Sequence, residues 1–309
     1  MTFAVLFPGQ GSQSVGMGAD LFDERPDLLG DAADEILGWS LRTVCLDGPE
    51  EELTRTDRAQ PALYAISYAL WDEFRSRLEV PPAGAAGHSL GEYTALAAAG
   101  VLSFEDGLRL VAARGLAMAD AAAREPSTMA ALIGADLEAA ESLAADRRDE
   151  GGRLWVANVN APGQIVVAGG TDDVEWAGSV ARDRGIRRVV PLKVAGAFHS
   201  PFMAPAAEAL TEAVGTTRFE PASFPVWANA TAAPHGESVG GALVEQLTSP
   251  VRFAESLGAM AGAGIGVFVH VGPGDVTAGL ARRSIDGAET YVVSGPADLE
   301  SVAAALQST

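Results

Sequence analysis

The sequence predicts an α/β protein, a large domain on a parallel sheet interrupted by a smaller mixed unit. Three observations predict it. Short continuous apolar runs such as Phe3–Phe7 alternate with amphipathic, alanine-rich segments, as expected for strands covered on both faces by helices. A Gly-x-Ser-x-Gly pentapeptide stands between one such run and a helical pattern, the setting of a strand–turn–helix elbow. Residues 127–195 read β-α-β-β-α-β, the order of a split βαβ unit.

Taken in order, Phe3–Phe7 is closed by Pro8-Gly9 and reads as a buried strand. Pro61 suits the first turn of a helix that continues through Leu63, Ile66, Ala69 and Leu70 to about Arg77. Residues 83–87 form a strand reaching His88-Ser89, and a helix follows over 90–99. Ser103 with Asp106 three residues on resembles a capping box; its helix runs to about Ala123, where Glu125-Pro126 stops it. Strands are expected over 128–133, 154–159, 164–168 and 187–194, with helices over 136–148 and 171–184. This is a ferredoxin-like subdomain at 127–195, and 1–126 with 196–309 make the large domain. The large pattern resumes with a helix over 201–214, a strand over 225–229, and βα units around 267–270 and 291–293.

Composition excludes several classes. Forty-one acidic against twenty-one basic residues leave a net charge of −20, which repels a nucleic-acid backbone. No run reaches the roughly 18 apolar residues of a membrane span. The N-terminus lacks a basic region and its apolar run stops at Pro8, unlike a signal peptide. Met1 and the segment near Ala305 read as the ends of a free-standing chain. With Cys45 alone, no internal disulfide and no Cys-x-x-Cys metal site exist, so a reducing, cytoplasmic setting is expected and no metal is implied.

Gly87-His88-Ser89-Leu90-Gly91 carries the chemistry. A serine on a tight strand-to-helix turn needs glycines beside it, because a Cβ there crowds the strained backbone. The turn aims the Leu90 N–H and a helix N-terminus at the hydroxyl. Such a serine needs a base, and four histidines are available. His88 points to the other side of the turn, and His235 lies in a loop composition expected to be solvated. His270 ends a strand and His199 sits at a small-residue loop-to-helix junction; both remain candidates, with His199 favoured. An α/β-hydrolase with His270 as base is the alternative.

The motifs resemble those of malonyl-CoA:acyl carrier protein transacylases and of discrete polyketide synthase acyltransferases. Pro8-Gly9-Gln10-Gly11-Ser12-Gln13, Gly87–Tyr93 (GHSLGEY), Arg114-Gly115 ahead of Met118, Asn158–Gln164, Gly196–His199, Gln246-Leu247 and Val271–Gly274 occur in that family's order. The likeness implies an α/β-hydrolase-like large domain and assigns roles. Ser89 is the nucleophile and His199 the base. The N–H groups of Gln10 and Leu90 form an oxyanion hole, and a main-chain carbonyl at or beside Gln246 orients the histidine. Arg114 holds a substrate carboxylate, with Met118, Phe198 and Gln246 around the acyl group. Phe198 leaves little room for an α-methyl branch, so malonyl is expected over methylmalonyl. Gly196-Ala197-Phe198 is the polyketide-like form of the base motif, which leaves the pathway open between fatty acid and polyketide synthesis.

The implied substrate is malonyl-CoA and the acceptor a carrier-protein phosphopantetheine thiol, with no resident cofactor. A monomer is expected. Carrier proteins are usually acidic, and so is this chain, so docking needs a local basic rim. Arg187 and Arg188, beside Arg182 and Arg184, form one candidate, and Arg282 with Arg283 another. Three other functions compete: transfer of a different acyl group between carriers, proofreading hydrolysis, and an idle carrier-binding module.

Overall fold

A computed structural model describes residues 1–307. Two sheets organise the described residues. The larger contains β1 (Phe3–Phe7), β2 (Gly84–Gly87), β7 (Val226–Trp227), β8 (Val267–Val271) and β9 (Glu289–Val293) in the order β7-β2-β1-β8-β9. Every pairing in it is parallel. β1 lies at its centre, buried at all five positions, as its unbroken apolar sequence requires. The chain moves outward from β1 on both sides, so the loops after β1, β2 and β8 gather at one sheet edge, where open α/β sheets place ligands.

β2 has the composition Gly-Ala-Ala-Gly, which carries little intrinsic strand preference. Its small side chains instead admit close neighbours: a Cβ on Gly84 would lie 2.5 Å from the Trp227 ring. Two long helices, Thr56–Arg75 and Phe104–Arg124, pack against each other beside this sheet. Gly107 and Gly115 permit the contact, since a Cβ would fall 2.0 Å from the Tyr64 hydroxyl at the first and 2.9 Å from the Thr56 carbonyl at the second. Ser103 caps the second helix by accepting the Asp106 N–H at 3.0 Å.

The smaller sheet contains β3 (Ser127–Ile133), β4 (Leu154–Ala161), β5 (Gln164–Gly170) and β6 (Arg188–Pro191), in the antiparallel order β4-β5-β3-β6. Helices Leu137–Asp149 and Thr171–Val180 complete a ferredoxin-like unit around its own core of Ala140, Leu143, Val167 and Val174. A bulge in β4 between Val156 and Asn158 frees the strand to meet the large domain. There Val251 donates to the Ala157 carbonyl and Val159 donates to the Val251 carbonyl, both at 2.8 Å.

Several elements differ from expectation for local reasons. The first long helix begins at Thr56, and Pro61 lies inside it rather than in its first turn. Lacking an N–H, Pro61 forgoes one intrahelical bond, two residues after the Ala59 N–H makes the first such bond, to the Arg55 carbonyl at 2.7 Å. The expected helix over 171–184 finishes as a 3₁₀ turn, Ala181–Arg184, closed by Gly185 at φ 76°. β6 ends at Pro191, which cannot donate to the ladder. Five short helices between Ala19 and Thr54, and the helices Val239–Gln246 and Phe253–Gly262, carried no sequence reading.

Candidate active site

Ser89 follows β2 at φ 52°, a left-handed conformation unusual for a residue with a Cβ. The flanking glycines explain how the turn closes. A Cβ on Gly87 would lie 1.8 Å from the Gly91 carbonyl carbon, and one on Gly91 would lie 2.3 Å from the Phe7 carbonyl oxygen. The Gly91–Ala98 helix starts directly behind the serine. His199 is also strained, at φ 57°. It is reached through Gly196 and Ala197, and a Cβ on Gly196 would press to 2.6 Å from that of Ala122. Two such residues facing each other store strain of roughly 1–3 kcal/mol apiece, a cost that concentrates at functional centres.

Their side chains meet. Ser89 Oγ and His199 Nε2 are 2.7 Å apart. His199 Nδ1 donates to the Gln246 carbonyl at 2.9 Å, and because Gln246 ends its helix, that carbonyl has no helical donor. This bond fixes the tautomer: Nδ1 carries the proton and Nε2 is free to accept one from the serine. Burial, with the Arg114 charge nearby, lowers the His199 pKa from 6.5 to about 3, so the imidazole is neutral at neutral pH. Among the described residues no acidic side chain hydrogen-bonds to it. The N–H groups of Gln10 and Leu90 make no hydrogen bond within the described residues, and Gln10 and Ser89 line one cavity.

Arg114 is fully buried. Its Nη1 donates to Gln60 Oε1 at 2.7 Å, and its Nη2 to Ser89 Oγ at 2.9 Å and Gln246 Oε1 at 3.0 Å. Nε is buried without a partner, and the guanidinium lies 5.4 Å over the Tyr93 ring. Burial lowers its pKa, opposed by Tyr93 and Glu92. Its direct hydrogen-bond partners are all neutral, so a ligand carboxylate would be the first anion on this fork.

The cavity at Ser89 measures about 460 Å³. Gln10, Gln60, Met118, Phe198 and His199 line it from the large domain, and Asn158, Asn160, Gln164 and Leu192 from the small one. Arg114, Leu90 and Gln246 lie behind this lining rather than in it. Gln246 reaches the centre only through hydrogen bonds to Arg114, His199 and the Ser89 carbonyl. Met118 is tied to Gln60 through its sulfur at 3.4 Å.

The other histidines sort clearly. His270 is a satisfied core residue, with Nδ1 2.6 Å from the Thr277 hydroxyl and Nε2 3.0 Å from the Gly272 carbonyl; burial lowers its pKa to about 4. His88 bonds Asn160 at 2.7 Å. His235 is not solvated as its loop composition suggested: its side chain is 6% exposed and its Nε2 lies 2.8 Å from Glu92 Oε1. Glu92 in turn accepts from the Asn229 N–H at 2.8 Å and Gln246 Nε2 at 2.7 Å, and Asn229 Oδ1 accepts the Ser89 N–H at 2.7 Å. Sequence reasoning missed Gln60, Asn229 and the Glu92–His235 pair. Glu92, a charged residue in the first turn of a fully buried helix, was the available signal.

The candidate docking arginines divide. Arg187 and Arg283, from different domains, line one groove of about 610 Å³ with Gln164, and Gln164 also lines the Ser89 cavity. Arg283 donates to the Gln164 side chain. Arg188 and Arg282 lie outside this groove; both are exposed, and Arg282 donates to Thr290 at 2.8 Å. None of the four forms an ion pair among the described residues. Arg184, by contrast, is held by Asp146. No cluster of metal-ligating residues and no helix long and apolar enough to cross a membrane occurs among the described residues.

A serine on a strained elbow, hydrogen-bonded to a neutral imidazole beside two free backbone N–H groups, defines an enzyme class that passes acyl groups through a seryl ester. Residues 4–297 match the family described as acyl transferase domain. Malonyl CoA-acyl carrier protein transacylase of Bacillus subtilis is 42% identical over 301 residues, covering 96% of this chain and 95% of that protein. The polyketide biosynthesis malonyl CoA-acyl carrier protein transacylase PksC of the same organism is 40% identical, covering 92% and 97%. A solved malonyl-transacylase in complex with its type II PKS acyl-carrier protein superposes with a TM-score of 0.94 at 36% identity, over 99% of this chain and 100% of that one. The chain belongs to the malonyl-CoA:acyl carrier protein transacylase family.

Proposed function

We propose that this protein moves a malonyl group from malonyl-CoA onto the phosphopantetheine thiol of an acyl carrier protein, through an ester on Ser89. The carrying observation is one constellation: Ser89 Oγ lies 2.7 Å from His199 Nε2 and 2.9 Å from Arg114 Nη2. Ser89 Oγ bonds to the thioester carbon as its proton passes to His199, and the Gln10 and Leu90 N–H groups take the oxyanion. The C–S bond then breaks and His199 returns the proton to the departing thiolate. The carrier thiol reverses these steps, attacking the ester while Ser89 recovers its proton.

Arg114 anchors the free carboxylate, exchanging Ser89 Oγ for it once the oxygen is acylated. A neutral acyl group leaves that buried cation with no anion in direct contact, a penalty on the order of 2–5 kcal/mol. Phe198 and Met118 bound the acyl group. Residues 127–195 act as a subdomain closing one wall of the cleft, and the Arg187–Arg283 groove receives the acidic carrier, with Arg188 and Arg282 at its margin. A cytoplasmic monomer completes the reading. It is supported by the single buried thiol of Cys45 and by large apolar side chains exposed at only five positions among the described residues.

Intact-protein mass spectrometry tests the proposal. Wild type and Ser89→Ala are mixed with malonyl-, methylmalonyl- or acetyl-CoA, then with a carrier protein. A malonyl-sized adduct on wild type alone, chased onto the carrier, is expected. Decay of that adduct to free acid identifies a hydrolase, and no adduct with any thioester refutes acyl transfer.

A further inference from the structure

Glu92 is fully buried in the helix behind Ser89. Three donors converge on its two oxygens: the Asn229 N–H, Gln246 Nε2 and His235 Nε2. With the proton of His235 on Nε2, each of these contacts is a donor to Glu92, the hydrogen bonding that suits a carboxylate. Both inner donors grip the reaction centre directly. Asn229 Oδ1 takes the Ser89 N–H, while Gln246 takes Arg114 Nη2 on its side-chain oxygen and His199 Nδ1 on its carbonyl. Arg114 and Glu92 are therefore joined by a single amide, with donor, acceptor, donor and acceptor in unbroken sequence.

We propose that Glu92 is the internal counter-charge of Arg114, a positioning residue that sets how strongly the cleft prefers a carboxylated acyl group. The proposal rests on the reading of Arg114 as the carboxylate anchor. In the unloaded cleft the bridged pair is neutral, and an incoming malonyl carboxylate makes the triad singly negative. Glu92 thus restrains the hold of Arg114 on malonyl, keeping the seryl ester ready to leave for the carrier. It also lowers the cost of a neutral acyl group, because Arg114 is never wholly without an anion. Burial makes this coupling strong, since no solvent screens either charge.

Glu92→Gln removes the charge and keeps the shape. The new amide oxygen still accepts from Asn229 and Gln246, and its nitrogen can donate to His235 Nε2 in the other imidazole tautomer. Loading rates with malonyl-CoA and acetyl-CoA are measured for wild type, Glu92→Gln, Arg114→Ala and the double variant Glu92→Gln/His235→Gln, with melting curves as the check on folding. The expected result is a malonyl KM lowered, and the malonyl-over-acetyl ratio of kcat/KM raised, on the order of tenfold. A purely structural role lowers both substrates together and leaves the ratio unchanged, and that result overturns the proposal. If Glu92→Gln does not fold, the double variant, with two matched amides, gives the same reading. If Arg114→Ala keeps the wild-type preference, the anchor reading itself fails. If Arg114→Ala loses the preference and the folded Glu92 variants leave it unmoved, only the counter-charge role fails.

Discussion

Gly91 offers the most direct test of how backbone packing sets the reacting geometry. A Cβ at this position would lie 2.3 Å from the Phe7 carbonyl oxygen and 2.8 Å from both the Phe7 carbonyl carbon and the Pro8 oxygen. Cβ atoms essentially never approach other atoms closer than 3.0 Å, so Gly91→Ala must open this contact by at least 3.0 − 2.3 = 0.7 Å. The neighbour cannot swing aside as a side chain would. Phe7 ends the central strand, is paired with Gly87, and accepts the His88 N–H at 3.0 Å. The displacement is therefore shared between the Ser89 elbow and the Pro8-Gly9-Gln10 loop, which carries one proposed oxyanion donor. A misplacement near 1 Å costs about 10²-fold in rate, so kcat for malonyl loading should fall roughly 30- to 100-fold. Arg114, Met118 and Phe198 stand on other segments, so KM should change little. Overpacking adds a destabilisation of about 1–3 kcal/mol, visible as a melting temperature lower by several degrees. Steady-state loading kinetics and a thermal melt decide it. A folded Gly91→Ala enzyme with kcat within about threefold of wild type would refute the argument.

Three further outcomes follow from the site. Burial holds the His199 and His270 pKa values at about 3 and about 4, below their ordinary 6.5, and lowers that of His88. The unfolded chain binds the extra protons, so their contribution to stability is complete above about pH 6.5 and is lost as pH falls toward 4 and 3. By pH 5, His199 and His270 each forfeit about 2 kcal/mol; their imidazole NMR signals should show no titration step between pH 8 and 5, and a step near 6.5 contradicts the burial argument. Phe198→Ser should raise methylmalonyl loading relative to malonyl by roughly 10- to 100-fold, read by competition between the two thioesters; an unchanged ratio removes Phe198 from the acyl wall. The double reversal Arg187→Glu/Arg283→Glu should raise the carrier KM and weaken its salt dependence while loading from malonyl-CoA is kept; an equal fall in loading would show that the groove does not serve the carrier.

Sequence patterns of short range were the legible ones. β1 was readable because a run of five apolar residues ended by Pro-Gly has few other structures available. The split βαβ order was readable because each strand is followed by its own turn chemistry, as at Pro162-Gly163, where Gly163 takes φ 72°. Pro61 misled because a proline marks where a helix can begin, not where it must; Thr56 to Gln60 extend the helix upstream through contacts with the Phe104–Arg124 helix. His235 misled for a similar reason. Its Ala-Ala-Pro-His-Gly surroundings are those of a loop, and only tertiary structure brings Glu92, 143 positions away, against its ring. Asn229 and Gln60 are ordinary polar residues whose importance lies wholly in what they touch, and no local pattern records that.

The two sheets supply different walls of the cleft. The proposed reacting groups, Ser89, the Gln10 and Leu90 N–H groups and Arg114, stand on loops and helices beside the buried parallel sheet, next to glycines (Gly9, Gly91 and Gly115) where a Cβ would fall within 3 Å of neighbouring backbone. The facing wall, Asn158, Asn160, Gln164 and Leu192, comes from the smaller sheet, whose backbone joins the large domain through the paired bonds at Val251. Acyl transfer makes unequal demands on these walls. The acyl carbon must meet Ser89 with sub-ångström accuracy, whereas the thiol donor changes from coenzyme A to a protein-borne arm between the two half-reactions. A fixed floor beneath the acyl group and a wall carried by a separate core satisfy both, because small adjustments of the second need not disturb the first. The groove between Arg187 and Arg283 lies across that same division, one arginine on each domain, so a carrier bound there would span the two parts whose spacing sets the width of the cleft.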